Sequence, residues 1–385
     1  MRAKLHEPMK LAWFSLCAAI VLATVAFFTL STPGVGAPHP VASAAAQDTP
    51  TPPLTIYARA GNQHPSTIEP KGPGLLLMGG GATVDSSFVW MHDTIVGAHG
   101  VRGGDVVVLT ASEGDIYTAY IMRVAPFNSV RSISLGPGAT KADLEQAAAY
   151  VDHAQGVFFS GGDQSHYVRW KGSPLIAAVQ RLYDRGGVVG GTSAGLAILG
   201  EYVYDSVAAD AAGGDVEART TNAMADPSEP IISFTHDLFT FPPLRHIITD
   251  THLVPRNRLG RLMVFLARLQ EQSSSDLMGV GVSQGTAIVI DRHGIGTLKL
   301  EHHQGAALLV RLTEATPIVA GKPFIAKNIR ITLLNREGEQ IDFNSWCAAA
   351  PTYFVSVDGR KAPFYDPADP YTAPQNATIP KCQRT

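Results

Sequence analysis

Ser193 stands in Gly190-Gly191-Thr192-Ser193-Ala194-Gly195, a run in which a nucleophile is flanked by small residues. Upstream, Gly187-Val188-Val189 reads as a short β-branched strand, and downstream Leu196-Ala197-Ile198-Leu199 reads as helix formers. The serine therefore falls on a sharp strand-to-helix turn, where backbone crowding demands small neighbours and the hydroxyl is presented at a helix N-terminus. Backbone N–H groups and a positive dipole end suit an oxyanion there, so the chemistry open to this stretch is acyl transfer. An ordinary tight turn of an α/β domain would satisfy the same pattern. A nucleophilic serine needs a base within hydrogen-bond reach, and the base needs an orienting partner. His252 is the best candidate. It ends the expected strand Ile247-Ile248-Thr249-Asp250-Thr251-His252, placed on the same sheet edge as Ser193, in a polar cluster that an apolar strand does not need for folding. Arg256, Arg258 and Arg261 crowd the same segment and read either as the solvated start of a helix or as forks for carboxylates.

The elements that must position these residues follow from periodicity. Gly74 to Met78, Asp105 to Thr110, Val157 to Ser160 and Ile247 to His252 are short apolar strands. Between them lie helical patterns: Phe88, Met91, Ile95, Val96 and His99 at i, i+3 and i+4 spacing, Ile116 to Val124, Lys141 to His153 capped by Thr140, and a helix opened by Ser173 and Pro174 and closed by Gly186. Strands alternating with helices at this spacing predict an α/β fold, a three-layer sandwich with a mainly parallel central sheet. Sites in such folds form outside the carboxyl ends of the strands, where Gly79-Gly80-Gly81, Gly161-Gly162-Asp163-Gln164 and the Ser193 turn all fall. Residues 205 to 245 read as irregular, and Arg258 to Gln272 as a helix with Leu259, Leu262, Phe265, Leu266 and Leu269 on one face. From Met278 onward, Thr286 to Asp291, Gly296 to Leu300 and Asn328 to Leu334 form a β-rich part expected to close the sheet edge. Beyond Phe343 the chain is Pro-rich and reads as an irregular extension, 341–385.

Composition narrows the classes. A length of 385 residues allows a sizeable core, and a formal net charge of -3 gives no electrostatic reason for nucleic acid. The 13 histidines include no pair at zinc-ligand spacing beside acidic or cysteine partners, so neither a metal nor a cofactor is expected; His302-His303 reads as structural. Arg2, Lys4 and Lys10 precede an uncharged apolar run from Leu11 to Leu30, which predicts a signal peptide or membrane anchor over 1–31. A Pro/Ala-rich linker, 32–70, follows, and the body of the chain is expected outside the cytoplasm. Cys17 lies in the apolar run, which leaves Cys347 and Cys382 to pair in an oxidising compartment and tie the C-terminal extension to the domain at 71–340.

Three stretches together resemble the cyanophycinase family of serine peptidases: G-G-T-S-A-G at 190–195, F-S-G-G-D-Q at 159–164, and D-T-H-L-V-P-R-N-R-L-G-R-L at 250–262. The family shares its fold with aspartyl dipeptidases and, more distantly, with class I glutamine amidotransferases. The resemblance covers roughly residues 72 to 335 and keeps the family's order of motifs. It implies Ser193 as nucleophile, His252 as general base and acid, and the N–H groups of Gly162 and Ala194 as oxyanion hole. Gln164, Asp250, Thr251, Arg256, Arg258 and Arg261 fall where the family holds its substrate, a polymer with an aspartate backbone and arginine on its side-chain carboxyls. The implied partners are thus an aspartate- and arginine-containing peptide or polymer and, as a further expectation, a second copy of the chain. One position departs: in Gly279-Val280-Gly281-Val282-Ser283-Gln284-Gly285-Thr286-Ala287 the amide Gln284 stands where the family has an orienting acid. An amide accepts the imidazole N–H through its carbonyl oxygen without stabilising the imidazolium as a carboxylate does. That leaves a slower enzyme, a different orienting acid such as Asp250, or a protein that binds without cutting. Thr251 likewise replaces a glutamine of some cyanophycinases, which leaves an aspartyl dipeptidase or peptidase of other specificity as the alternative.

Overall fold

In the computed structural model, which describes residues 52–382 apart from 113, 214–216 and 274, side-chain alternation sets the layers. Along the strand Gly74–Met78, Leu75 and Leu77 point into one apolar cluster and Leu76 and Met78 into another. Val107 and Leu109 oppose Val106 and Val108 in the same way along Gly103–Thr110. Both faces of this sheet are therefore buried, as a parallel sheet requires. On one face lie the helices Asp85–Val96 and Thr118–Val124, through Phe88, Met91, Ile95 and Ile121. On the other lie Lys141–Asp152 and Pro174–Asp184, through Leu144, Ala147, Val151, Leu175, Val179 and Leu182. The first of these two helices starts on a reciprocal capping box between Thr140 and Asp143, the second on Ser173, which accepts from the Ile176 N–H just before Pro174 at the first helical position.

The sheet has 11 strands, and its centre runs Phe127–Leu135, Gly103–Thr110, Gly156–Phe159, Val188–Thr192 and Gly74–Met78, all parallel. The strand Phe127–Leu135 is not visible as periodicity because Ser129, Ser132 and Ser134 interrupt its apolar run. Each serine is buried against a named acceptor: Asp105, Asp115 and the carbonyl of Ser112. Two strands of the expected linker, Leu54–Ile56 and Ala60–Gly61, pair antiparallel with this edge. The leader expected over 1–31, Cys17 and the linker up to 51 lie outside the described residues. Among the described residues no helix is long and apolar enough to cross a membrane.

The β-rich part does more than close one edge. Thr286–Ile290 and Ile295–Leu300 extend the first sheet antiparallel from Gly74–Met78. Ile247–Thr251, Met278–Val282, Ala307–Arg311 and Ile325–Leu334 instead belong to a second sheet of 8 strands. The strand leading to His252 is thus not on the edge that carries Ser193; it lies in the other sheet. One side of the second sheet packs through Val203, Ile247, Met278 and Val280 into the cluster beneath the first. Its other side packs through Ile248, Leu308 and Val310 onto the helix Leu259–Ser273, with Leu262, Phe265, Leu266 and Leu269 buried. The stretch 205–245 holds the short helices Val207–Ala211 and Thr220–Ala225 and the strand Phe234–His236.

Beyond Phe343 the chain is mostly irregular, as expected, but it carries three strands, Cys347–Ala348, Thr352–Asp358 and Tyr365–Asp366. Cys347–Ala348 adds to the first sheet, and Thr352–Asp358 pairs with Ile325–Leu334 in the second. Tyr353 and Val355 are buried there, and Cys347 is bonded to Cys382 with Cα atoms 5.7 Å apart. The bridge joins positions 35 residues apart. For a loop of that length, restriction of the unfolded chain stabilises by about 3–4 kcal/mol. Cys347→Ser should lower the guanidinium unfolding midpoint correspondingly, and an unchanged midpoint would show that the tail adds nothing to the cooperative unit.

Candidate active site

Ser193 connects the strand Val188–Thr192 to a short helix, Ala194–Ala197, with φ 53° and ψ −120°. Such backbone strain costs on the order of 1–3 kcal/mol and persists only where the surroundings enforce it. They do so through the flanking glycines: a Cβ on Gly191 would lie 2.1 Å from the Gly195 carbonyl oxygen, and one on Gly195 would lie 2.3 Å from that of Phe159. The Ser193 N–H is held by the Met78 carbonyl at 3.1 Å. The hydroxyl is thereby lifted out of the sheet, and its Oγ lies 2.7 Å from His252 Nε2.

His252 reaches this position from the end of Ile247–Thr251, with φ 49° and its N–H on the Gly79 carbonyl at 2.9 Å. The Gly79-Gly80-Gly81 loop wraps the ring so closely that a Cβ on Gly80 would sit 2.4 Å from His252 Cε1. Behind the ring, Gln284 places its Nε2 2.8 Å from Nδ1. In this orientation the amide N–H donates to Nδ1, and the neutral imidazole carries its proton on Nε2, facing the serine. A half-turn of the carboxamide brings Oε1 to Nδ1 instead, moves the ring proton there and frees Nε2 to accept. The carbonyl-to-imidazole contact expected from the sequence is this second orientation.

Asp250 does not orient His252. Arg261 holds both its oxygens, Nε at 2.8 Å and Nη2 at 2.5 Å, and the Thr251 N–H takes a third bond at 2.8 Å. Arg258 donates to the Thr251 carbonyl at 3.0 Å and, with Arg261, pairs with Glu217. The guanidinium groups of Arg258 and Arg261 are thus buried and engaged in internal pairs, and Thr251 is buried as well. Glu217 is unreadable in the sequence because it lies in the irregular stretch with no motif around it. Arg256 is exposed and borders a cavity of about 270 Å³ that Arg258, Arg261, Gln164, Glu217 and Asp210 also line. Gln164 donates to Ser206 at 2.7 Å.

On the other side of Gly162 a second cavity, about 340 Å³, opens directly onto Ser193. The Ser160–Gly162 loop comes close here: a Cβ on Gly161 would lie 3.5 Å from Ser193 Cβ, and Gly162 has φ +137°. The N–H of Ala194, first residue of its helix, has no acceptor within that helix. One His/Asp group has donor atoms within 4.8 Å of one another, Asp163, His166 and Asp210. Asp163 caps the Ser165 N–H and Asp210 pairs with Arg169 at 2.6 Å, so both carboxylates are already engaged.

The fold and site together define an α/β protein with a strained serine elbow and a histidine in contact with it. No protein-family model matches the chain. In sequence it is similar to a cyanophycinase from Synechococcus elongatus, 26% identical over 200 residues that make up 50% of this chain and 55% of that protein. A cyanophycinase from Thermosynechococcus vestitus matches to the same extent. The chain thus spans about half the length of the curated relatives it matches. Among solved structures, a peptidase from an acI-B1 Actinobacterium superposes with a TM-score of 0.42 at 15% identity, over 71% of this chain and 98% of that one. A putative peptidase E protein from Listeria monocytogenes gives 0.37 at 13%, over 60% and 99%.

Burial holds the His252 pKa down at about 4, with the Arg256 charge adding to the effect and Asp250 opposing it. The ring is therefore neutral at any pH above that value. Its NMR resonances should titrate near 4 rather than at the ordinary 6.5, and Arg256→Gln should move the midpoint upward by removing a cation. A midpoint that stays near 6.5 in the unaltered protein would mean that the ring is open to water.

Proposed function

We propose that this protein is an exported serine peptidase that cleaves a cyanophycin-like aspartyl-arginine polymer through an acyl-enzyme. The observation that carries the reading is the 2.7 Å contact between Ser193 Oγ and His252 Nε2 on a strained elbow. Ser193 attacks an aspartyl carbonyl as His252 takes its proton, and the Gly162 and Ala194 N–H groups receive the developing oxyanion. His252 then protonates the leaving amine, and water, deprotonated by the same ring, releases the β-aspartyl-arginine product. Arg256 is the exposed cation of the cavity it shares with Arg258 and Arg261 and meets a substrate carboxylate first, and the similarity to cyanophycinases supports the choice of polymer. The apolar run after Arg2, Lys4 and Lys10 supports export.

Gln284 favours a second reading, an enzyme of reduced turnover or a homologue that binds without cutting. Where the triad of a trypsin-type serine peptidase loses its acid to an amide, turnover drops about 10⁴-fold. Ser193→Ala should abolish release of β-aspartyl-arginine from purified polymer, and unchanged release would overturn the serine mechanism. Gln284→Glu should raise kcat at least about tenfold with little change in KM. If neither form releases product while both still bind the polymer, the protein is a binder. A panel of aspartyl dipeptides run in parallel identifies a dipeptidase, which cleaves them and leaves the polymer intact.

A further inference from the structure

A cavity of about 300 Å³ lies away from Ser193, between Arg59 and Pro65 of the N-terminal segment, the strands Gly103–Thr110 and Phe127–Leu135, and the end of the helix Lys141–Asp152. It opens beside Asp105, Val106 and Val107, whereas the far end of that strand, Thr110, borders the cavity at Ser193. The two spaces are thus at opposite ends of one strand, and no step at Ser193 uses the residues of this one. Val107 and Ala154 give it an apolar floor, Ala149 lies at its rim, and Tyr150 lines one wall. Its size lies at the small end of the range for small-molecule sites.

Its charges are unequal. Arg59, Arg131 and His153 face a single carboxylate, Asp105. Asp105 is already answered: it accepts from Arg59 Nη2 at 2.9 Å, Asn128 Nδ2 at 2.7 Å, Ser129 Oγ at 2.6 Å and the Ser66 N–H at 2.8 Å. Arg131 donates through Nη1 to the Tyr57 carbonyl at 3.0 Å and lies 5.0 Å over the Tyr150 ring; among the described residues no carboxylate pairs with it. The Nε of Arg59 is buried without a partner. Two guanidinium groups therefore keep unused donors beside an aromatic wall and an apolar floor. A carboxylate supplies the acceptors these donors lack, and a flat apolar body fills the rest of the space.

We propose that this cavity binds a small organic monocarboxylate with a flat apolar body, its charge on Arg131 and Arg59 and its body against Tyr150, Val107 and Ala154. The segment from Arg59 to Pro65 is then a wall of a binding site and not a spacer.

Calorimetric titration of the full chain with 3-phenylpropionate tests this. Saturable binding is expected, with the uncharged 3-phenylpropionamide at least about ten-fold weaker, the loss that follows from removing a charge-assisted hydrogen bond. Arg131→Ala should weaken the acid by a similar factor. Ala149 is exposed at the rim, so Ala149→Phe fills the space without disturbing the core or either arginine, and it should abolish binding. Ser193→Ala should bind the acid as the unaltered chain does, which separates this site from the peptidase site. Absence of saturable binding overturns the proposal, as does an amide that binds as well as the acid. Unchanged affinity in Ala149→Phe overturns it too, and that variant remains decisive if Arg131→Ala fails to fold.

Discussion

The contact between Ser193 and His252 joins two sheets, and most of what surrounds it serves to hold that distance. The serine ends a strand of the first sheet and the histidine a strand of the second. Two residues between them fix both: the Met78 carbonyl takes the Ser193 N–H, and the Gly79 carbonyl takes the His252 N–H. Consecutive carbonyls of one central strand end therefore serve as a common post for nucleophile and base. Each residue adopts a positive φ, 53° and 49°, that an L-residue avoids unless held. Shared anchoring to a buried strand makes the strain tolerable, because neither backbone can relax without giving up a hydrogen bond and moving against packed neighbours.

A buried ionic cluster stabilises the second of these positions from below. Asp250, two residues before His252, is locked to Arg261, with side chains 4% and 3% exposed. Arg261 belongs to the helix Leu259–Ser273, so the pair fastens the end of the strand to the start of that helix. Burying such charges costs desolvation that only dense pairing offsets, and the cluster supplies it through Glu217, Arg258 and the Ala218 carbonyl. Residue type suggests ligand forks at all three arginines, but type alone does not distinguish an arginine that holds a substrate from one that holds its own fold. Burial separates them: Arg258 and Arg261 are inside, and Arg256 is outside.

Local chemistry is the legible part of this chain. The elbow can be read because Gly191 and Gly195 leave no room for a side chain, and the capped helix starts at Thr140 and Ser173 because cap residues announce themselves. The central parallel strands are legible as unbroken apolar runs, and Phe127–Leu135 is not, since its buried serines imitate a loop until their acceptors are known. Assignment of strands to sheets is hidden for a related reason. Met278–Val282 and Thr286–Ile290 are separated by a short turn and have similar composition, yet they enter different sheets because each pairs with a strand remote in sequence. The Pro-rich tail misleads for another reason: its strands are short, lie between irregular stretches, and add to sheets that already exist.

Gln284 gives this arrangement its particular chemical character. A base of pKa about 4 is a weak proton acceptor, and both arginine charges near His252 make its protonated form costlier still. A carboxylate behind Nδ1 would counter those charges and would also fix the proton on Nδ1, since it only accepts. The amide does neither. It can turn either its N–H or its carbonyl to the ring, so it holds neither tautomer exclusively. The tautomer that accepts the serine proton is the one in which the amide carbonyl takes the Nδ1 proton. The site is therefore complete in geometry and weak in electrostatics, with the deficit concentrated at one side chain whose backbone position is otherwise well held: its neighbour's N–H, on Gly285, bonds the Gly80 carbonyl at 3.1 Å.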